Sequence, residues 1–396
     1  MAHGTKWKAV LTAAVLAALP SVGWVADGIT DTEITVGLFA PMSGPLAAFG
    51  LDPIQTSKMI YEEANKKGGV HGRKFKLLLE DDKCDTGEMQ AIARKYVSVE
   101  KVFLLHGGSC TAGAQALQEY VAREKVPLMV LNAGADSAVF PPTRYLFAGN
   151  VGTQFSSGGA ITQFAIDGLK GKRIAVVVHD DDIGTANWRT AKAAIEKAKV
   201  EVAAYERVPP RATDLTAAVL NVRKANPDVI VLIASPAPAV LFMQKYGEFA
   251  MKQPVVASVQ AVPNPTTFAT NVGNNTALAN FYYTTPLAEA AKLAKWNDMY
   301  KSYYPSRTPG PWVAFGVPTA AAVVAAFEKA GRNVTRESFV DVLETLTVDS
   351  GALAGPSVFG KDRRDSFRSA AFIKFDGASA TRMPGVYSWD GSIAAP

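Results

Sequence analysis

The sequence predicts an α/β protein of two lobes that face each other across a cleft. Three observations carry this. Short apolar runs such as RIAVVV (173–178) and DVIVLI (228–233) alternate with stretches of helical periodicity. Strands covered on both faces read as continuous apolar runs, so the sheets are mainly parallel and flanked by helices. The alternation restarts after residue 150, giving two units of similar plan. A chain of 396 residues also exceeds what one small core holds together.

The elements follow in order. EITVGLF (33–39) is the first strand, and a helix over 54–67 stops at Gly68-Gly69, a good helix terminator. Strand 75–80, helix 87–99, strand 102–105, helix 114–123 and strand 128–131 complete a run of four strands joined through three helices with right-handed crossovers. The second unit has helix 155–169, strand 173–178, helix 185–198, strand 202–205, helix 214–225, strand 228–233, helix 238–251 and strand 255–259. A strand at 281–285 precedes three helices, 288–303, 313–330 and 335–346, with Thr335 as an N-cap. Short strands at 371–375 and 386–389 close the chain. Three helices in a row suit a segment that packs back onto the earlier lobe. The expected division is 27–150 plus about 286–349 for one lobe and 151–285 plus about 350–396 for the other. Ligands of open α/β sheets bind beyond the carboxyl ends of the strands, which puts the site in the cleft.

Residues 1–26 read as a secretory leader. Lys6 and Lys8 precede the apolar run AVLTAAVLAALP, and small residues follow. Cleavage is expected between Gly23 and Gly28, with no cysteine nearby for a lipid. The run is short for a membrane span, and no later segment is expected to span. The protein is therefore expected in the periplasm. Export makes the two cysteines, Cys84 and Cys110, read as a disulfide rather than a nucleophile. At a separation of 26 residues the loop-closure model assigns it about 3.5 kcal/mol.

Composition excludes several functions. The net charge of +5 is scattered without a basic run, which argues against nucleic acid. LHGGS (105–109) resembles an oxyanion loop, but no G-x-S-x-G elbow follows, and only four histidines are present, one of them in the leader. An enzyme is not expected. HDDD (179–182) reads as a solvated loop and helix start rather than a metal site, and no phosphate loop is present. What remains suits binding. GGSCTAG (107–113) and NAGADS (132–137) are turns after strands that offer N–H groups and hydroxyls to an anion.

Six stretches together resemble the leucine/isoleucine/valine-binding family of periplasmic solute-binding proteins. They are APMSGPLAAFG (40–50), NKKGGVHGRK (65–74), EDDKCDTGE (80–88), VFLLHGGSCTAG (102–113), NAGADS and PGPWVAFG (309–316). The likeness covers essentially all the chain after the leader. It implies a type I periplasmic binding protein fold with three crossings between lobes. It also implies a monomer without cofactor or metal that delivers one small molecule to the membrane permease subunits of an ABC importer. The resemblance implies that Cys84 pairs with Cys110. It places the ligand carboxylate on Thr111 and the backbone around Gly134, Ala135 and Asp136, in a set with Ser43, Ser109 and Cys110, and puts Phe49 in the pocket wall. From the second lobe it brings Ile183, where the family often has tyrosine, Ser235 and Pro236. Gln260 lies near the position where amino-acid binders carry an acid for the ammonium.

Gln260 is neutral, and a buried ammonium needs a charged or multiply accepting partner. Asp136 sits where carboxylate donors are expected, with Ser137 able to take the donor role. The favoured ligand is therefore an aromatic or other hydrophobic acid. The alternatives are a branched-chain or other hydrophobic amino acid, or a role as a periplasmic ligand sensor.

Overall fold

A computed structural model describes residues 27–44, 46–133, 136–149 and 154–389, together with Met1. The expected leader beyond Met1, with most of its cleavage window, lies outside these residues. The first sheet contains β1 (Glu33–Ala40), β2 (Lys74–Asp81), β3 (Leu104–Gly107), β4 (Leu128–Val130) and β5 (Leu146–Ala148). Their order is β2-β1-β3-β4-β5, with every pair parallel. Helices α1 (Ala47–Lys66), α2 (Thr86–Ser98) and α3 (Thr111–Glu124) connect them. Val36, Leu38, Leu104 and Leu128 are fully buried, as strands covered on both faces require.

The second lobe begins with α4 (Gln154–Gln163), which continues into a π-helical turn, Phe164–Gly168. Then come β6 (Arg173–His179), α5 (Asp182–Ala198), β7 (Glu201–Val208), α6 (Thr216–Ala225), β8 (Val229–Ile233), α7 (Pro236–Glu248), β9 (Val255–Ala257), α8 (Pro265–Val272) and β10 (Phe281–Thr285). After α9 (Ala290–Tyr303), α10 (Val313–Ala330) and α11 (Arg336–Leu343) come β11 (Thr347–Val348), β12 (Ser357–Val358), β13 (Ser369–Phe375), β14 (Ala380–Arg382) and β15 (Tyr387–Ser388). The second sheet runs β14-β13-β10-β9-β8-β6-β7, parallel from β10 to β7, with β13, β14 and β15 added antiparallel. One apolar cluster joins the first sheet to Ala320, Val323, Phe327, Phe339 and Phe359, so the helices after β10 pack onto the first lobe.

Several expectations need correction. α1 starts at Ala47 rather than 54, with Pro53 inside it. α3 starts at Thr111 rather than 114, and β3 runs two residues later than 102–105. β5, α8 and the β11–β12 pair were not expected: three residues of LFA or two of TV are too few to show a period. α8 did carry a start signal, Asn264 before Pro265, and Asn264 Oδ1 accepts from the Thr267 N–H at 3.0 Å. α10 is 18 residues long and apolar enough to cross a membrane, contrary to the reading of the later chain, yet 67% of it is buried. Its burial is tight. The Ser57 hydroxyl of α1 donates to the Gly316 carbonyl at 3.0 Å, and a β-carbon on Gly316 would overlap the Pro53 carbonyl. It is a core helix.

The crossings orient the lobes. The carboxyl end of β5 reaches the segment before β13 through a parallel bridge, Ala148 to Asp365. The segment after the carboxyl end of β10 pairs with the same connection through an antiparallel bridge, Leu287 to Leu353. Both sheets therefore meet the crossing region by their carboxyl ends, and the loops that follow their strands border one cleft.

Candidate functional site

In the first lobe the cleft-side loops are cross-braced. Met42 N–H donates to Asp81 Oδ1 at 2.8 Å, and Lys83 N–H donates to the same oxygen at 2.9 Å. Burial works against ionisation of Asp81, but hydrogen bonds from Ser43, Met42 and Lys83 outweigh it and hold the carboxyl below its usual range. Ser43 is thus an exposed residue tied to the end of β2. Asp82 is fully buried; its Oδ1 accepts from the Cys84 N–H at 2.8 Å, and its Oδ2 has no partner among the described residues. Burial pushes its carboxyl up to about 6, opposed by the Cys84 N–H. Lys83 and Cys84 both take positive φ, so these two carboxylates hold a left-handed turn that presents Cys84 to Cys110. The disulfide is formed, with Cα atoms 5.6 Å apart.

The β3–α3 turn lies at the other end of that bond. Gly107 is required because a β-carbon would overlap the Phe39 carbonyl oxygen, and Gly108 takes φ +83°. Cys110 is the N-cap of α3 and makes no side-chain cap bond, its sulfur being in the disulfide. Ser109 is buried and its hydroxyl has no partner among the described residues, while Thr111 opens α3, half-buried. His106 plays no part in this turn. It is buried in the core, with Nδ1 2.9 Å from the Tyr61 hydroxyl, and burial pushes it down to about 3.

Phe49 is 41% exposed. Pro53 has no N–H to bond the Phe49 carbonyl one turn earlier, and Asn132 Nδ2 at the end of β4 fills that place at 3.0 Å. The helix proline thereby docks the start of α1 onto the carboxyl face of the sheet. Trp312, just before α10, packs against Phe49 with ring centroids 4.9 Å apart and against Phe315 at 5.1 Å, the rings tilted by 58° and 41°. Phe315 packs with Leu353 and Phe367 at the crossings. An aromatic line therefore runs from the crossings to the rim of the first lobe. Trp312 lies in PGPWVAFG, and nothing in that local pattern marks it as a site residue or says that it meets Phe49. Gly134 and Ala135 lie outside the described residues. Asp136 opens the short turn Asp136–Ala138, and the Ser137 carbonyl accepts from Gln118 Nε2 at 2.7 Å.

In the second lobe, HDDD caps and pairs. Asp181 accepts from the Gly184 N–H at 2.9 Å as the N-cap of α5, and Asp180 pairs with Arg207 at 2.7 Å. His179 Nε2 accepts from the Ser235 N–H, which ties the β6 loop to the β8 loop. Burial lowers the His179 pKa, with Asp181 opposing, so the ring stays a neutral acceptor. Ile183 is half-buried in the first turn of α5; Asp182 beside it is exposed. Ser235 is the N-cap of α7 without a side-chain cap bond, and Pro236 is exposed at N1. After β9, Ser258 is buried with a hydroxyl that has no partner among the described residues, and Gln260 is exposed. All these positions follow carboxyl ends of β6, β8 and β9, as Ser43, Ser109, Thr111 and Ser137 follow β1, β3 and β4. A separate cavity of about 360 Å³, lined by Tyr246, Met251, Lys252 and Asn280, lies near the amino ends of β9 and β10, away from this cleft.

Residues 33–379 match the sequence profile of the family described as periplasmic binding protein. The Leu/Ile/Val-binding protein homolog 7 of Brucella abortus is 26% identical over 234 residues, 56% of this chain and 57% of the relative. The chain thus spans a little over half the length of that relative. A solved chain from Rhodospirillum rubrum, provisionally assigned to a branched-chain amino acid ABC transporter, superposes with TM-score 0.78 at 21% identity, over 89% of this chain and all of that one. A solute-binding protein of an ABC transporter from Rhodopseudomonas palustris BisB5, solved with 3,4-dihydroxybenzoic acid, gives TM-score 0.60 at 19% identity, covering 90% and 97%. At these identities the solved structures speak to the fold.

Proposed function

Since the chain belongs to the periplasmic binding protein family, we propose that it captures a small carboxylate-bearing molecule between its lobes and hands it to an ABC importer in the periplasm. One observation carries the reading. The Ser109 hydroxyl is buried without a partner among the described residues, at the N-terminus of α3 in the turn held by the disulfide. A buried hydroxyl lacks its hydrogen bond until an acceptor arrives, and helix N-terminal N–H groups favour an anion. Phe49 and Trp312 offer an apolar wall for the ligand body, and Gln260 offers no charge to an ammonium. An aromatic or other hydrophobic acid fits these groups best, and the dihydroxybenzoate complex of the Rhodopseudomonas protein supports that choice.

A second reading, a hydrophobic amino acid, is favoured by the name of the Brucella relative and by Asp182, an exposed carboxylate beside Ile183 that can meet an ammonium. Thermal-shift titrations with benzoate, 3,4-dihydroxybenzoate, L-leucine and L-isoleucine separate the two, because a ligand of the folded state raises the melting temperature. The aromatic acids are expected to shift it. A shift with leucine alone, abolished by Asp182→Asn, overturns the aromatic-acid choice. Ser109→Ala is expected to weaken carboxylate binding about tenfold or more; unchanged affinity removes the anchor assigned to it.

A further inference from the structure

We infer that the buried Asp365–Arg368 pair spans the pivot of the third crossing and resists change in the angle between the lobes; this rests on the reading that the lobes move around a ligand. Up to Ser366 the segment belongs to the first lobe. Ala148 N–H donates to the Arg364 carbonyl at 2.7 Å, and Ser366 N–H donates to the Ala148 carbonyl at 2.9 Å, extending the β5 edge. Arg364 is pinned further. Its Nη2 meets Glu344 Oε1 at 2.7 Å, and its guanidinium lies 4.4 Å from the Phe147 ring centroid. From Arg368 the chain belongs to the second sheet: Trp389 N–H donates to the Arg368 carbonyl at 3.2 Å, and β13 begins at Ser369. Phe367 alone separates the two sets of bonds. It is 1% exposed and packs on Phe315 and Leu353.

Rotation of one lobe on the other at this crossing must pass through the backbone torsions beside Phe367. Across that residue Arg368 donates to both oxygens of Asp365, Nε at 2.9 Å and Nη2 at 2.7 Å. Asp365 is fully buried and the Arg368 side chain is 10% exposed. A forked guanidinium–carboxylate pair is sensitive to plane and distance, and separating it away from water leaves two poorly solvated charges. The pair therefore favours the torsions seen here and sets how freely the lobes move.

The test uses the full chain with spin labels at Gln115→Cys in α3 and Lys192→Cys in α5, since both native cysteines are in the disulfide. Double electron–electron resonance reads the distance between lobes without ligand. Removing one charge by Asp365→Asn strands the guanidinium and can unfold the chain, so Asp365→Leu is combined with Arg368→Met. Arg368→Lys keeps the charge but loses the fork. The folded double variant is expected to show a distance distribution about twofold wider than the parent, with Arg368→Lys in between. A lower melting temperature with an unchanged distribution in both variants reduces the pair to a stabilising contact and overturns the inference. The same samples, titrated with L-leucine and 3,4-dihydroxybenzoate, report the ligand question separately. Failure of both to bind counts against the proposed function and leaves the distance result standing.

Discussion

At the carboxyl end of the first sheet a disulfide adds a covalent tie to the hydrogen bonds between loops, whereas at the second sheet hydrogen bonds and an ion pair join them. Asp81 joins the β1 loop to β2, the disulfide joins the β2 loop to the β3 loop, and Asn132 joins the β4 end to α1. In the second lobe Asp181 and Asn264 cap their own helices, and the loops are joined without a covalent bond, by Ser235 N–H to His179, Asp180 to Arg207 and Val259 N–H to the Thr284 hydroxyl. The first face is thus the more firmly set before a ligand arrives, and the second has more room to adjust. Preorganised donors suit a carboxylate, whose geometry is constant across many ligands, while an adjustable face suits the variable body.

The largest expected effect breaks the bracing of the first lobe. Cys84→Ser with Cys110→Ser should lower stability by about 3.5 kcal/mol in urea unfolding. A loss well under 1 kcal/mol would mean that the turn is held without its covalent bond.

Next comes the buried charge beside it. Asp82 holds its proton up to about 6 in the folded chain, against about 3.9 for a free carboxyl. Its contribution to stability is therefore greatest below the lower value and falls by about 1.4 kcal/mol per unit as pH rises through this window. His106, pushed down to about 3, works oppositely. Its contribution is complete above about 6.5 and is lost as pH falls, by a similar amount per unit. Between about pH 4 and 6 the two offset each other. Asp82→Asn should make the chain lose stability on acidification relative to the parent, by about 1.4 kcal/mol per unit in urea midpoints taken at each pH. Parallel curves for the two proteins would sink this assignment.

The second lobe should respond less. Asp181→Ala removes one N-cap and should cost about 1 kcal/mol. Arg207→Ala breaks a half-exposed pair, its side chains 42% and 53% exposed, and should stay within about 0.5 kcal/mol. If these two rival the disulfide, the contrast between the lobes fails.

The sequence shows much of this. Apolar runs marked most strands, and the expected bounds of 281–285 and 313–330 match β10 and α10 residue for residue. Glycine and hydroxyl turns after strands pointed to the carboxyl ends. The short elements β5, β11 and β12 escaped because two or three residues show no period, whereas the equally short β4 and β9 were marked by the longer apolar runs around them. The contact between Phe49 and Trp312 escaped for a different reason: 263 positions separate them in the chain, and no local pattern encodes their meeting.

Sequence alone therefore determined the class of fold and the turns that offer hydroxyls, because burial periodicity and turn chemistry are local properties, and the resemblance of its motifs pointed to the family. Tertiary structure decided the rest: that Ser109 lacks a partner, that Asp82 is buried beside the disulfide, that Pro53 leaves a carbonyl for Asn132, and that Phe367 stands between two lobes. Each depends on which distant segment excludes water from a group or supplies its hydrogen bond, and that is known only once the chain has folded.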